Sequence, residues 1–496
     1  MIKRVTKKKL KDKKEIFLSN IIDQEIKDNE LRIGFSKKIL ELSEKISLKK
    51  PNLHEDLTHI PFVTIDGDDS KDFDDAVWAD ENKDIIKIMV AIADVSFFID
   101  QDSPIDLEAR KRGNSFYFPD RVLPMFPKKI SNDICSLVPQ KERACVVIQI
   151  DLFKNGKIKN YEIKRAIIKS HARLTYEEVD QIYTNERNKF YLLTKNLFRA
   201  YQVLKEKSLT RGKINFNSDE FSIKFQENQN FIFEKKKKLD SYKVIEELMV
   251  LANNIVAEVF IKEKKNTVFR NHEKPSKEKV IELKKILNDR EFKFLSFFSQ
   301  RDFNNALEIS KKKGLDYINN ILLKSQSKAF YESKNKGHFG LALKNYTHFT
   351  SPIRRYSDLI VHRDLFDILY KKKKRIFSDI SEHLTLQEKK ADFLERNIIE
   401  RACSIYLKKI KKKNFFGIID GIERFGIFIK CMDYPFTALA RIRQSSEFNL
   451  KKRNRENEKY KIGQLVEFRI KRNNIYSGKI LAEKVCIIEK YERYED

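Results

Sequence analysis

Six aspartates lie within ten positions of the stretch TIDGDDSKDFDDAVW, residues 64–78, in a chain otherwise rich in lysine. Four of them are separated by six, two and one residues: Asp66, Asp72, Asp74 and Asp75. Carboxylates brought this close repel one another, so they must either be protonated at a raised pKa or share a cation. Hard oxygen ligands favour magnesium or manganese, and the stretch has no histidine or cysteine to favour zinc. We call these four residues the acidic cluster.

A calcium-binding loop is the obvious competitor, because acidic or hydroxyl side chains occupy alternate positions from Asp66 to Asp72. The sixth position is Lys71 rather than the turn glycine, and the twelfth is Val77 rather than a bidentate glutamate. An exposed acidic loop that balances neighbouring lysines is the simpler alternative. The apolar segments IPFVTI and AVW on either side favour a rigid scaffold, and therefore a two-ion site for phosphoryl transfer or phosphodiester hydrolysis.

Composition limits the class of protein that could carry such a site. The 496 residues include 101 Lys and Arg against 73 Asp and Glu, which gives a net charge of +28. Such an excess indicates a polyanionic partner, nucleic acid first, although an AT-rich genome would also raise the lysine content. The five cysteines have neither zinc-ligand nor redox spacing, and we expect reduced thiols in a cytoplasmic protein. No apolar run reaches the roughly 18 to 20 residues of a membrane helix.

Hydrophobic periodicity divides the chain into four predicted parts. Residues 1–55 form a basic N-terminal segment that leans towards helix. In the second part, 56–375, the stretch DAVWADENKDIIKIMVAIADVS predicts two strands joined by a turn at Glu81 to Asp84, and the pattern is mainly helical between about 175 and 335. A helical connector follows at 376–412. Alternating β-branched and aromatic residues with glycines at turns then predict a barrel of about five strands at 413–490.

Several long blocks in this order resemble the ribonuclease II/ribonuclease R (RNB) family of processive 3′-to-5′ exoribonucleases. Besides the acidic stretch they are VAIADVS, RGNSFYFPDRVLPMFPKKISNDICSL, FRNHEKPS, GHFGLALKNYTHFTSPIRRYSDLIVHR and LQEKKADFLERN. The resemblance implies an α+β fold, with a mixed α/β RNB catalytic domain followed by a C-terminal OB-fold barrel of the ribosomal-protein S-one type. It departs at Phe97, where the family commonly has histidine, and in the 55 leading residues, which cannot hold the family's two cold-shock domains.

The resemblance also implies roles for individual residues. Asp66, Asp72 and Asp75 would mainly coordinate Mg²⁺, with Mn²⁺ as an alternative, while Asp74 would position the second ion and the attacking water. Arg354, in TSPIRRYSD, would contact the scissile phosphate, where a guanidinium can clamp phosphate oxygens and stabilise developing charge.

Further residues would contact the RNA. Tyr117 would stack on the 3′-terminal base, with its neighbours Phe116 and Phe118 pointing into the core, and Arg112 would contact phosphate. On the barrel, RNA contact is expected at Phe416, Phe425 and Phe428, although at least half of these should belong to the barrel core.

Other polar residues in these blocks have structural explanations. Asp94 could support the acidic cluster from behind, but burial in a hydrogen-bond network at a strand end accounts for it as well. His338 and His348 have no metal-ligand spacing, and we expect both to be structural.

The resulting hypothesis is a monomeric, cytoplasmic, Mg²⁺-dependent exoribonuclease that threads the 3′ end of single-stranded RNA through a basic channel and releases nucleoside 5′-monophosphates. Two alternatives stay open. The first is a catalytically inactive RNA-binding regulator that keeps the same fold, which should bind RNA but never shorten it. The second is a metal-dependent endoribonuclease, which would not need a free RNA 3′ end.

Overall fold

A seven-stranded mixed sheet forms the centre of the protein. The structure is a computed structural model that describes residues 17–48, 54–216, 220–226, 230–287, 292, 295–315, 317–371, 380–410, 412–441 and 460–488. The strands of this sheet are β1 (Glu55–Asp56), β2 (Val63–Asp66), β3 (Asp75–Glu81), β4 (Ile85–Ala93), β7 (Glu142–Phe153), β8 (Ile158–Lys169) and β9 (Ala172–Thr175). They lie side by side in the order β1-β8-β7-β4-β3-β2-β9.

The remaining strands before the barrel form three two-stranded pairs. They are β5 (Phe116–Tyr117) with β6 (Val122–Leu123), β10 (Phe221–Phe225) with β11 (Phe231–Lys235), and β12 (Phe269–Asn271) with β13 (Phe330–Glu332). The helices are α1 (Leu18–Asp28), α2 (Lys37–Glu44), α3 (Val95–Phe98), α4 (Pro104–Arg112), α5 (Tyr176–Tyr183), α6 (Tyr191–Arg211), α7 (Asp240–Lys262), α8 (Lys277–Ile286), α9 (Gln300–Lys313), α10 (Tyr317–Ser325), α11 (Tyr356–Leu369) and α12 (Ser381–Lys409). A π-helical turn spans Ile130–Ile134.

Strand β4 is central because its sequence, IIKIMVAIA, can be buried on both faces. One face packs against α6 and α7 in a core that includes Ile88, Leu197 and Leu248. The other face packs against α4 and the residues around the π-helical turn. The predicted strands and their turn are confirmed, since β3 pairs antiparallel with β4 and the chain reverses after Glu81. The mainly helical prediction for 175–335 missed the pairs β10–β11 and β12–β13, whose short aromatic strands lie between the helices.

A closed five-stranded barrel follows the long helix α12. Its strands are β14 (Asn414–Glu423), β15 (Gly426–Cys431), β16 (Thr437–Arg441), β17 (Leu465–Asn473) and β18 (Ile480–Ile487), in the order β14-β15-β16-β18-β17. Alternate residues such as Phe415, Ile427 and Phe468 fill the interior. A Cβ at Gly426 would lie 2.4 Å from the Ala440 carbonyl oxygen, so the close approach of β15 and β16 requires glycine. The predicted fold class, a mixed α/β domain followed by a C-terminal barrel, is confirmed.

Helix α12 joins the sheet region to the barrel. Along its length Leu384 packs in the sheet-region core, Leu394 in an intermediate cluster and Cys403 in the barrel core. Helix α1 packs on α12, where Glu25 and Arg401 form an ion pair of 2.6 Å. Part of the predicted basic N-terminal segment is therefore built into the fold, while residues 1–16 lie outside the described residues. No helix in the described ranges is long and apolar enough to cross a membrane.

A buried ion pair connects α4 to α11. Arg363 lies 2.8 Å from Asp106, and the two side chains are 5% and 1% exposed. The Tyr356 hydroxyl also donates to Asp106, at 3.0 Å. Tyr356 begins α11 two residues after Arg354, the predicted phosphate-binding arginine, so this pair fixes the start of that helix.

We expect Arg363→Ala to lower the free energy of unfolding by about 3 to 5 kcal/mol, because it leaves the Asp106 carboxylate buried without its cation. Denaturant unfolding followed by far-UV circular dichroism measures the change. Lys37→Ala is the matched control, since Lys37 forms an exposed pair with Glu41 at 3.9 Å and its loss should leave the transition in place. Equal effects of the two substitutions would contradict this role for the buried pair.

Candidate active site

The acidic cluster lies where β2 and β3 end side by side. Asp66 is the last residue of β2, Asp75 is the first of β3, and the connecting loop carries Asp72 and Asp74. The Ala93 amide donates to the Asp74 carbonyl oxygen at 2.8 Å, which continues the pairing of β3 with β4. The sheet therefore fixes both ends of the loop that bears the carboxylates, as expected from the flanking apolar segments.

Burial raises the pKa values of Asp66, Asp74 and Asp75 in the acidic cluster. Burial, followed by the negative charges of the other three aspartates, raises the pKa of Asp66 to about 8, against a smaller opposite effect of Arg173. Burial raises the pKa of Asp75 to about 6, and Arg354 limits that rise. The pKa of Asp74 is also well above its usual value because this carboxyl is buried. Without a cation, the cluster thus tends to retain protons.

Asp74 links the acidic loop to the segment that precedes α11. Its Oδ1 accepts a hydrogen bond from the Ile353 amide at 2.8 Å, and its Oδ2 accepts one from Arg354 Nε at 3.2 Å. Asp74 is 3% exposed, whereas the Arg354 side chain is 43% exposed. The Nε edge of the Arg354 guanidinium therefore contacts the acidic cluster, while the rest of the side chain is partly exposed to solvent.

Arg354 is fixed through both its side chain and its backbone. Arg354 Nη2 donates to Ser351 Oγ at 2.9 Å, and the Ser115 amide donates to the Arg354 carbonyl oxygen at 3.0 Å. The next residue, Arg355, donates instead to Asp358 at 2.7 Å. Of these two neighbouring arginines, Arg354 faces the acidic cluster.

Tyr117 lies at the same cluster and is 45% exposed. Its hydroxyl donates to Asp72 Oδ2 at 2.7 Å, while Phe116 and Phe118 are buried on the opposite side of the strand. The ring of Tyr117 is therefore available to solvent beside the carboxylates. The alternation expected for this stretch is present, although its contact with RNA stays a prediction.

Two features of the site were not identified from the sequence. Tyr176 stacks on Tyr242 with ring centroids 4.0 Å apart, and burial, followed by the charges of Asp75 and Asp66, raises the pKa of Tyr176. Arg173, on β9, donates to the carbonyl oxygens of residues 67 and 68 and so braces the start of the acidic loop. Tyr176 could have been identified by its position directly after β9, the strand that pairs with β2.

Arg112 does not line the site, which corrects the prediction that it contacts phosphate. The residue is 5% exposed, and Nε donates to Glu108 at 3.0 Å. Its Nη1 donates to the Arg32 and Pro124 carbonyl oxygens, and its Nη2 to that of Gly34. Four of the five N–H donors of this buried guanidinium are used in these contacts, which tie α4 to the segment after α1.

Asp94 and the two histidines have structural contacts. Asp94 is fully buried, accepts hydrogen bonds from Ser96 Oγ and the Phe97 amide at the start of α3, and lies 2.7 Å from Arg165. His338 Nδ1 accepts from the Leu341 amide. His348 Nδ1 bonds the hydroxyl of a neighbouring tyrosine at 2.8 Å. These contacts agree with the expectation that Asp94, His338 and His348 have structural roles.

The three barrel aromatics predicted to bind RNA point out of the barrel. Phe425 is 51% exposed and packs edge-on against Phe428, with centroids 6.0 Å apart. Phe416 and Phe428 are half-buried. The expectation that at least half of the three belong to the core is wrong, because alternation assigns the interior to their neighbours Phe415 and Ile427. RNA contact at these positions stays a prediction.

The donor set of the acidic cluster fits a hard divalent cation. All four side chains supply carboxylate oxygens, and Asp66 Oδ2 is buried without a hydrogen-bond partner among the described residues. An orphaned, buried carboxylate oxygen is the kind of atom that a cation satisfies. In the described part of the chain, no three carboxylate, imidazole or thiolate groups already stand as ligands to one ion.

The fold and site together define a protein with a cluster of four aspartates at the end of a mixed sheet in an α/β domain, followed by an OB-like barrel. The RNB domain family matches residues 54–371, and the chain belongs to this family. Ribonuclease R of Vibrio parahaemolyticus is 34% identical over 441 residues, covering 82% of this chain and 52% of that protein. The chain thus spans about half the length of the curated relatives it matches.

Solved structures share this architecture. Mycoplasma genitalium RNase R, in complex with ribose-methylated single-stranded RNA, is 28% identical with a TM-score of 0.86, covering 94% of this chain and 78% of that one. Yeast Ssd1, described as a pseudonuclease, is 18% identical with a TM-score of 0.64, covering 83% of this chain and 54% of that one. The second likeness concerns the fold alone, so activity must be argued from the residues of the site.

The raised pKa of Asp66 predicts a pH-dependent stability in the absence of metal. A group whose pKa is higher in the folded state stabilises the fold when protonated, and this contribution is lost as the pH rises from 3.8 towards about 8. In EDTA, the melting temperature of Asp66→Asn minus that of the wild type should therefore increase from pH 4 to pH 8. Calorimetric scans of both proteins measure it, and a difference independent of pH would contradict the raised pKa.

Proposed function

We propose that this protein is a divalent-metal-dependent exoribonuclease that degrades single-stranded RNA processively from its 3′ end and releases nucleoside 5′-monophosphates. The observation that carries the proposal is that Asp74, a member of the acidic cluster, accepts hydrogen bonds from the Ile353 amide and from Arg354. The exposed ring of Tyr117 lies beside this contact. This arrangement joins carboxylates, a phosphate-binding cation and a base-stacking surface in one place. Relatives named ribonuclease R support the substrate class.

The acidic cluster would hold Mg²⁺, with Mn²⁺ as a substitute, and the bound ions would activate water and stabilise the leaving oxygen. The exposed edge of Arg354 clamps the non-bridging oxygens of the scissile phosphate, while its Nε stays on Asp74. Attack of water on phosphorus breaks the bond to the 3′ oxygen of the preceding nucleotide. The terminal nucleotide leaves with its 5′-phosphate, and the proton ends on the new 3′ hydroxyl.

Tyr117 stacks on the terminal base and fixes the RNA 3′ end relative to the carboxylates. Stacking accepts any base, which suits degradation without sequence preference. The outward-facing aromatics Phe416, Phe425 and Phe428 supply a second base-stacking surface on the barrel. We infer further that the enzyme works as a monomer in the cytoplasm, with a net charge of +28 to attract the RNA backbone.

Asp74→Asn tests the reaction directly. It keeps the size of a side chain that is 3% exposed but removes its charge, and we expect the degradation rate to fall by more than about 10²-fold. The measurement is shortening of a 5′-labelled single-stranded RNA in Mg²⁺. Asp69→Asn is the control, because Asp69 is an exposed aspartate of the same loop outside the cluster, and its loss should leave the rate unchanged.

The same assay separates the alternatives. The wild type should leave a circular RNA intact, and should leave every RNA intact in EDTA. Cleavage of the circle would indicate an endoribonuclease, and binding without shortening would indicate an inactive RNA-binding protein like the pseudonuclease neighbour. Full activity of Asp74→Asn would remove the proposed mechanism.

Tyr117→Ala and Tyr117→Phe separate the ring from the hydroxyl. Loss of a stacked base costs about 1 to 3 kcal/mol, so Ala should weaken RNA binding roughly ten- to a hundred-fold and change the length of the final undegraded fragment. Phe keeps the ring and loses only the hydrogen bond to Asp72, so its RNA affinity should stay close to the wild type. Fluorescence anisotropy measures the RNA affinity, and sequencing gels measure the length of the final fragment. Equal effects of Tyr117→Ala and Tyr117→Phe would refute stacking.

A further inference from the structure

A buried serine outside the acidic cluster holds the loop that carries two of its members. Ser136 follows the π-helical turn Ile130–Ile134 and is fully buried. Its hydroxyl oxygen accepts a hydrogen bond from the Phe73 amide at 2.9 Å and donates one to the Lys71 carbonyl oxygen at 3.0 Å. One hydroxyl therefore bonds two backbone groups of the acidic loop.

These two backbone groups flank a single aspartate. The Lys71 carbonyl belongs to the peptide unit before Asp72, and the Phe73 amide belongs to the peptide unit after it. The next two units are held as well, because the Leu137 amide donates to the Phe73 carbonyl at 3.0 Å and the Ala93 amide donates to that of Asp74. Four consecutive peptide planes are thus fixed around Asp72 and Asp74.

Ser136 is itself anchored to the central sheet. Arg143, near the start of β7, donates from Nε to the Ser136 and Asp133 carbonyl oxygens at 3.0 Å each. Its Nη2 pairs with the Asp133 carboxylate at 2.8 Å. The Phe73 side chain is buried next to the same segment, in the core that contains Leu137. The serine hydroxyl therefore fixes the acidic loop relative to β7 of the central sheet.

We propose that Ser136 is a positioning residue for the acidic loop, and that its hydroxyl keeps the carboxylates of Asp72 and Asp74 within reach of a shared cation. This inference rests on the proposed function of the acidic cluster as a metal site. Removing the hydroxyl leaves the buried Phe73 amide and the partly buried Lys71 carbonyl without this partner, so these groups gain by turning towards water. The loop then loses the orientation of both peptide units beside Asp72.

Ser136→Ala tests the inference, with Ser310→Ala as the matched control. Ser310 is also a buried serine whose hydroxyl donates to a backbone carbonyl, that of Leu315, but it lies in α9. Hydrogen exchange followed by mass spectrometry should show faster exchange in peptides covering residues 67–75 in Ser136→Ala and unchanged exchange there in Ser310→Ala. This measurement is made without metal or RNA, at a temperature where both variants remain folded.

Degradation of a short single-stranded RNA supplies the second readout. Contacts that orient metal-ligating side chains are worth about 10- to 100-fold in metal affinity or activity, so Ser136→Ala should raise the half-saturating Mg²⁺ concentration or lower kcat by that factor. The KM for RNA should change less than the Mg²⁺ dependence, because the Ser136 hydroxyl bonds the loop backbone, whereas Arg354 and Tyr117 meet this loop through the side chains of Asp74 and Asp72. A loss of folding alone would instead reduce the active fraction without changing the Mg²⁺ dependence.

The outcomes separate this inference from the proposed function. Unchanged exchange of residues 67–75 together with wild-type Mg²⁺ dependence in Ser136→Ala would overturn the positioning role while leaving the nuclease intact. Faster exchange in both serine variants would also overturn it, since the effect would not be local. If the wild-type protein shows no Mg²⁺-dependent degradation, the proposed function fails, whereas the local exchange result still decides whether Ser136 holds the loop.

Discussion

Mutual repulsion among four carboxylates in a poorly solvated place is the constraint on which this structure depends. Burial and neighbouring negative charge raise the pKa of Asp66, while the guanidinium of Arg354 is the cation in contact with Asp74. The two guanidinium groups that act on the cluster, those of Arg354 and Arg173, do not neutralise four carboxylates. The cluster therefore exists either partly protonated or bound to further positive charge, and the second state turns a destabilising feature into a catalytic one.

The fold resists this repulsion through contacts to the backbone of the acidic loop, together with hydrogen bonds to the carboxylates of Asp72 and Asp74. Strands β2 and β3 fix the ends of the acidic loop, and Ser136 and Arg173 hold its middle and its start. The segment before α11 closes the site from the other side through Ile353. The cost of concentrating charge is thus offset by the large apolar core on both faces of the sheet.

Much of this arrangement was accessible from the sequence, because it depends on local pattern. The apolar runs around the acidic cluster predicted β2, β3 and β4, and alternation with glycine turns predicted the barrel. Contacts between distant segments were not accessible: Ser136 meets the loop across more than sixty residues, and Arg112 carries no local sign that backbone carbonyls occupy its donors. Alternation along a strand shows which side chains share a face, but it does not show whether that face points into the barrel. It therefore left open which barrel aromatics face inward.

The most direct test of the central claim is to locate divalent metal in the acidic cluster. Anomalous diffraction from a crystal of the protein with Mn²⁺ and a non-hydrolysable single-stranded RNA would show the ions themselves. The account predicts anomalous peaks within ligand distance of the Asp66, Asp72, Asp74 and Asp75 carboxylates, next to a phosphate contacted by Arg354. Peaks elsewhere, or a cluster that remains metal-free beside bound RNA, would contradict it.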